Sequence, residues 1–283
     1  MQKLKKLSIT NILVLALFLL SSTVIFSKEL TFYIDGDYIQ GGIIFGKTEQ
    51  GNRVFFNKAE IPIDEAGEFI IGIGRNHTKF GRIKLIKKEK VIFEQNLEII
   101  QRNYQIQKIN NLEKNKVSPP EEVYARIKRE YKKIKIAKSS IVNYSYYKVG
   151  FKLPAQGIIT GVYGSQRVLN GIPKRPHYGI DIANNLGTPI LAPSDGKIVM
   201  VEDDLYFSGG TIIISHGRGF TSSLLHLKKI LVKKDQIIKK GQTIGLMGDT
   251  GRATGSHLDW RMEIRGVRVD PYLLLNNTKK IKN

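Results

Sequence analysis

The sequence predicts a mainly all-β protein: a small N-terminal β-sandwich, one linking helix and a compact C-terminal β-sandwich. Three observations carry this. Residues 29 to about 105 hold short runs rich in Ile, Phe and Val, punctuated by Gly, Asn and Asp. One later stretch places apolar residues at three- and four-residue steps, the period of a helix. From about Phe151 to Leu275 short apolar runs alternate with dense glycines, among them Gly157, Gly161, Gly164, Gly187 and Gly196, as tight turns between strands require.

The elements follow in order. Lys3, Lys5 and Lys6 precede an uncharged apolar run from about Ile9 to Phe26, the pattern of an export signal. Ser27 suits a cleavage site and Ile25 suits it poorly. The run is also close to the length that spans a bilayer, so cleavage and membrane anchoring both stay open. Strands are expected at Gly42–Phe45, Asn52–Phe56, Glu68–Ile73 and Arg82–Lys87, with Lys88-Glu89 as a hairpin turn. These strands fit a small β-sandwich. His77 lies in a loop with no partner nearby in sequence and is given no role. A polar linker then leads to a helix. Ser118 is expected to cap it, Pro119 and Pro120 to start it, and Glu121 and Glu122 to face the positive end of its dipole. Val123, Ile127, Tyr131 and Ile134 form its apolar stripe, which docks on a domain and leaves the lysines solvated. The chain thus divides into a signal or anchor (1–27), an N-terminal β domain (28–110), a linker with helix (111–150), a C-terminal domain (151–275) and a basic tail (276–283).

Composition limits the chemistry. There is no cysteine, so disulfides and thiolate-held zinc are excluded. Any metal must be held by histidines and carboxylates. The formal net charge is +20, which draws anionic partners. No nucleic-acid-binding motif is present, and export favours anionic envelope polymers or lipids over nucleic acid. An AT-rich genome would also inflate Lys, Ile and Asn.

Four of the five histidines fall in the C-terminal half. In His177-Tyr178-Gly179-Ile180-Asp181, a strand would point His177 and Asp181 the same way, with the small Gly179 leaving room for an ion. In His257-Leu258-Asp259-Trp260-Arg261-Met262-Glu263-Ile264, the apolar residues form a core face. His257, Asp259, Arg261 and Glu263 form the polar face. His226 sits among leucines in Ser222–Leu227. Catalytic zinc takes three protein ligands and keeps one open position. His177, Asp181 and Asp259 can supply the three, leaving His226 and His257 as unligated bases near water whose pKa zinc lowers to about 7.

The frames Tyr163-Gly164, His177–Ala183, Pro189–Gly196, His216-Gly217, Leu225-His226-Leu227, Gly241–Gly245 and Thr250-Gly251 through His257 occur in order over about Leu153–Leu275. This segment resembles the lysostaphin-type (LytM-like) family of zinc metallo-endopeptidases that cut peptidoglycan peptides, in its Gram-negative envelope form. The resemblance implies a β-sandwich/barrel hybrid (duplicated hybrid motif) and one Zn2+. It implies that His177 and Asp181 are ligands and that His257 and His226 are catalytic. It implies peptidoglycan peptide as substrate and a periplasmic or envelope location. The family's third ligand is a histidine where this chain has Asp259. Two carboxylates with one imidazole make a more anionic site, from which a weaker Lewis acid and a wider choice of metal are expected. Arg167 and Arg175 are candidates for substrate carboxylates, with His216 a further candidate near the cleft. The alternative is a regulator that binds and activates a cell-wall amidase, because relatives that have lost ligands act so. A carrier domain, suggested by Gly241–Gly245, is disfavoured by the export signal.

Overall fold

In a computed structural model, residues 32–139 and 142–276 are described. The expected signal segment and basic tail lie outside them. The N-terminal part runs β1 (Phe32–Gly36), β2 (Ile43–Thr48), β3 (Arg53–Phe56), β4 (Ala59–Ile61), β5 (Glu68–Gly72), β6 (Phe80–Lys87), β7 (Lys90–Glu98) and β8 (Ile106–Ile109). Two helices follow, α1 (Lys114–Val117) and α2 (Tyr124–Ser139). The C-terminal part begins with β9 (Ile158–Gly161), β10 (Gln166–Leu169), β11 (Ile172–Pro173), β12 (Gly179–Ala183), β13 (Pro189–Leu191) and β14 (Gly196–Leu205). It continues through β15 (Gly209–Gly217), β16 (Phe220–Ile230), β17 (Ile237–Ile238), β18 (Thr243–Met247), β19 (His257–Ile264), β20 (Val267–Val269) and α3 (Pro271–Asn276).

The fold is mostly β, as expected. A three-stranded sheet (β1-β2-β5) and a four-stranded sheet (β4-β3-β6-β7) face each other. Ile44, Val54, Phe69, Ile71, Ile83 and Leu85 fill the space between them. Alternation drives this packing, since every second side chain of each strand turns inward. The β6–β7 hairpin closes at Lys88 and Glu89, both with positive φ (46° and 60°), the backbone of a two-residue hairpin turn whose twist matches its strands.

The C-terminal part is one large open sheet, ordered β17-β14-β15-β16-β19-β12-β9, with β13, β18 and β20 attached. Its core is built on Trp260, Phe220, Leu224, Leu258 and Met262, and it takes in Ile43 and Ile70 from the N-terminal sheets. A third sheet ties the two parts together. β8 pairs in parallel with β10, placing Gln107 opposite Arg167.

The helix differs from expectation at its start. Ser118 ends α1 as its C-cap, and a 3-10 turn, Glu121–Val123, enters α2 from Pro120 without a side-chain cap. The two prolines hold this segment extended, so Ser118 is too early to cap α2. Tyr131 is 61% exposed and stands outside the stripe. Ile134 and Ala137 instead pack on Val199, Met200, Leu205 and Ile213. Steps of seven from Ile127 to Ile134 keep to one face, whereas Tyr131 is rotated to its rim.

Candidate metal centre and cleft

Strands β12 and β19 run antiparallel side by side, and their register sets Asp181 directly opposite Asp259. The β19 side chains alternate as read: Leu258, Trp260, Met262 and Ile264 are buried in the core. His257, Asp259 and Arg261 take the other face. His177 lies two residues before β12 rather than within it. Its backbone is still fixed, because its N–H donates to the Ser165 carbonyl (2.8 Å) and its carbonyl accepts from Gly164 (2.7 Å).

His177, Asp181 and Asp259 are 2%, 5% and 0% exposed, and one ligand atom from each lies within 4.8 Å of the others. His177 Nε2 is 3.1 Å from Asp181 Oδ1, and Nδ1 is 4.0 Å from Asp259 Oδ2. Among the described residues, both ring nitrogens and Asp181 Oδ1 are buried without a hydrogen-bond partner. Buried polar atoms are almost always satisfied. A neutral imidazole offers one lone pair, so one His177 nitrogen and Asp181 Oδ1 are two unpartnered donor atoms beside Asp259, a set that fits a cation of the kind that imidazole and carboxylate hold.

Each carboxylate carries its own arginine. Arg261 Nε lies 3.0 Å from both Asp259 oxygens, and its Nη2 is 2.5 Å from Oδ2. Arg167 Nη2 donates to Asp181 Oδ2. Burial alone would raise the Asp259 carboxyl. Arg261 first, then His177 and Arg167, outweigh burial and hold it well below the usual carboxylate range. Burial and Asp259 likewise oppose ionisation of Asp181, and His177 and Arg167 overcome them. Two guanidiniums beside the two carboxylates thus offset negative charge that the ligand set carries.

Two histidines border this cluster. His226 sits on β16 with φ +67°, a left-handed backbone that few non-glycine residues adopt, next to a register shift of the strand. That backbone aims its ring at Thr250, whose carbonyl accepts from Nδ1 at 2.7 Å. His257 Nδ1 donates to the Gly255 carbonyl at 2.8 Å. The same tautomer is thereby assigned to both, with Nε2 left as the basic nitrogen. The two rings are 4.7 Å apart between centroids. Burial, followed by the neighbouring His257, pushes His226 down to about 4, so it is neutral at physiological pH.

Small residues keep the space. A Cβ on Gly161 would meet Asp181 Oδ2 at 2.2 Å. A Cβ on Gly179 would meet the Trp260 carbonyl oxygen at 2.5 Å, Arg261 Cγ at 2.7 Å and Asp259 Oδ1 at 2.8 Å. Gly179→Ala is expected to cost about 1–3 kcal/mol by overpacking and to spoil the ligand geometry. Chemical denaturation and metal content by plasma mass spectrometry read the two effects, and an unchanged metal content would contradict the second.

A cleft of ≈ 290 Å³ opens onto the cluster. Asp181, His257, Arg167 and Arg252 line it, and Gln107 and Leu112 contribute a wall from the N-terminal half of the chain. Of the three substrate-binding candidates, Arg167 is in the cleft but bonded to Asp181. Arg175 is exposed and is not part of the lining. His216 is corrected outright: it is 0% exposed, with Nδ1 on the Asp195 carbonyl and Nε2 on Ser222 Oγ, both at 2.7 Å. It has no free edge for substrate. Arg261 was legible as a polar-face neighbour of Asp259 but was given no role. Arg252 was passed over as a loop residue. Gln107 had no local signal, since only the β8–β10 pairing brings it in.

Residues 175–271 match the sequence profile of Peptidase family M23. The chain is 45% identical over 106 residues to the peptidoglycan DD-endopeptidase ShyA of Vibrio cholerae, a match covering 37% of this chain and 24% of that protein. It is 31% identical over 121 residues to the murein hydrolase activator NlpD of Escherichia coli, covering 43% and 30%. It thus spans about a quarter to a third of the length of these curated relatives. A solved structure of a putative peptidase M23 from Pseudomonas aeruginosa superposes with TM-score 0.65 at 26% identity, covering 84% of this chain and 95% of that one. That coverage is wide enough to include the N-terminal sheets.

Proposed function

Because residues 175–271 match the profile of Peptidase family M23, we propose that this protein is an exported zinc-dependent endopeptidase that hydrolyses peptide bonds in peptidoglycan stems or cross-links. The observation that carries the proposal is that one His177 ring nitrogen and Asp181 Oδ1, buried without a hydrogen-bond partner, meet Asp259 within 4.8 Å, with His226 and His257 beside them. His177, Asp181 and Asp259 would hold one Zn2+. When bound, zinc supplies Lewis acidity toward a peptide carbonyl and toward water.

The chain's own residues do the rest. His257 lines the cleft with His226 beside it, and together they take a proton from the attacking water and return one to the leaving amine. Carbonyls of Gly255 and Thr250 hold the rings so that Nε2 is available. Arg167 holds Asp181 by Oδ2, leaving Oδ1 toward the centre, and Arg261 contacts both Asp259 oxygens. The ShyA likeness and the +20 charge support an anionic, carboxylate-rich wall polymer as substrate and the cell envelope as the location.

The second reading is an amidase activator. It is favoured by Asp259 in the position of the family's third histidine and by the likeness to NlpD. The two readings part in one assay, in which the purified chain, loaded with zinc, is incubated with sacculi of several wall chemistries, with and without chelator. Release of peptide-cleaved fragments that chelator abolishes is expected, and its absence across all walls would leave the activator. Roles are separable too. His177→Ala is expected to strip the metal, while His257→Ala keeps it and loses turnover. Equal metal content in both inactive variants would refute the division.

A further inference from the structure

Arg252 is the one cleft cation that nothing above employs. It lies in the Gly251–Ser256 loop and is half-buried, lining the same cleft as Asp181 and His257. Its guanidinium stacks over the Phe207 ring at 4.7 Å, and Nη1 donates to the Lys116 carbonyl at 3.3 Å. Among the described residues it makes no ion pair, although Arg167 and Arg261 in the same neighbourhood each have a carboxylate. A guanidinium offers five donors, and most of these stay unused.

This placement is unfavourable in isolation. Burial, then Arg261, then Arg167 push Arg252 down to about 10, with only Asp259 opposing them. Three guanidiniums share the region with two carboxylates, so the cleft carries one uncompensated positive charge. The aromatic ring and the backbone carbonyl hold the guanidinium plane in one orientation, which reduces the entropy lost when it forms forked contacts.

We infer that Arg252 forms a subsite for a free carboxylate of the peptide substrate. Naming the ligand as a peptide rests on the peptidase reading. The site itself rests on the unpaired cation in the cleft. A carboxylate is the anionic group that peptides supply, and its two oxygens match the guanidinium fork. It takes the part the sequence suggested for Arg167, whose guanidinium is already engaged by Asp181. Substrates carrying a carboxylate near the scissile bond would be preferred over amidated ones.

The test uses a cross-linked stem peptide and versions amidated at each carboxylate in turn. Binding to the full chain, held in chelator to prevent turnover, is measured by fluorescence anisotropy. Charge-assisted contacts of this kind predict that one amidation weakens binding about ten- to a hundredfold. Arg252→Gln is expected to erase that difference, and Arg252→Lys, which keeps the charge and loses the fork, to erase part of it. Should the glutamine variant fail to fold by circular dichroism, the lysine variant decides. Equal binding of all peptides by the unaltered chain, or full discrimination surviving in the substituted chain, overturns the subsite. Cleavage by the zinc-loaded chain is followed in parallel. If no peptide is cut while the discrimination holds, the peptidase reading fails and the carboxylate subsite stands.

Discussion

Asp259→His, which installs the histidine of the lysostaphin-type pattern that this segment resembles, is expected to weaken this protein rather than improve it. Asp259 is 0% exposed and accepts three contacts from Arg261. The substitution removes the only carboxylate that Arg261 pairs with among the described residues. Breaking a buried pair by deleting one partner costs about 3–5 kcal/mol. The Arg261 side chain keeps 29% exposure, so solvent recovers part of this, and about 2–3 kcal/mol is the reasonable expectation. A neutral imidazole in that position also leaves Arg167, Arg252 and Arg261 facing a single carboxylate and any dication. Metal affinity should fall for that reason. Asp259→His combined with Arg261→Gln removes the stranded charge and is expected to recover most of both losses. Thermal melts and chelator-competition measurements on both single variants and the double one give the coupling directly. Simple additivity would show that Asp259 and Arg261 do not act as one neutral unit.

This coupling also shows where sequence reading stopped. The alternation of β19 was enough to put His257, Asp259 and Arg261 on one face, because a strand's period is two and its other face is solid with Leu258, Trp260 and Met262. What alternation cannot say is which neighbours on that face touch. Asp259 was weighed as a ligand by itself, and the charge of Arg261 was left out. Arg167 came from another sheet altogether, and its link to Asp181 depends on β10 lying beside β8 and near β9. Gln107 entered the cleft by the same long-range pairing. The histidines divided likewise. His226 was found despite its leucine neighbours because it joined a set. His216 was placed near the cleft by its motif, whereas β15 and β16 pack it beneath Phe151 and Phe220. The strands of the N-terminal sheets were readable because each carries its own turn signal. The cap of α2 was not, since two prolines after Ser118 delayed the helix.

Acid should unfold the metal-free protein well before most carboxylates titrate. His216 and His226 are 0% and 5% exposed, and burial, the largest cause for each, pushes both down to about 4. In His216 the Asp195 carbonyl accepts from Nδ1, and Nε2 meets Ser222 Oγ, which also accepts from Trp260 Nε1 at 3.2 Å and donates to Met262 Sδ. Burial is what disfavours a second proton on this ring. The unfolded chain protonates these rings near the ordinary value of about 6.5. A folded-state value below the unfolded one means that the unfolded state binds more protons in between. The stabilisation is therefore complete above about pH 6.5 and is lost progressively as pH falls toward 4. Linkage gives about 1.4 kcal/mol per pH unit per ring, so roughly 2 kcal/mol each at pH 5 and about 4 kcal/mol together. That is a large share of a typical domain's stability. Urea denaturation in chelator at pH 7 and pH 5 should show this drop. His216→Asn, which keeps a donor for the Asp195 carbonyl without a titrating ring, should halve the slope whatever its own cost at pH 7. An unchanged slope in that variant, or equal stability of the parent at the two pH values, would mean that the folded state accepts these protons and that burial does not hold the rings neutral.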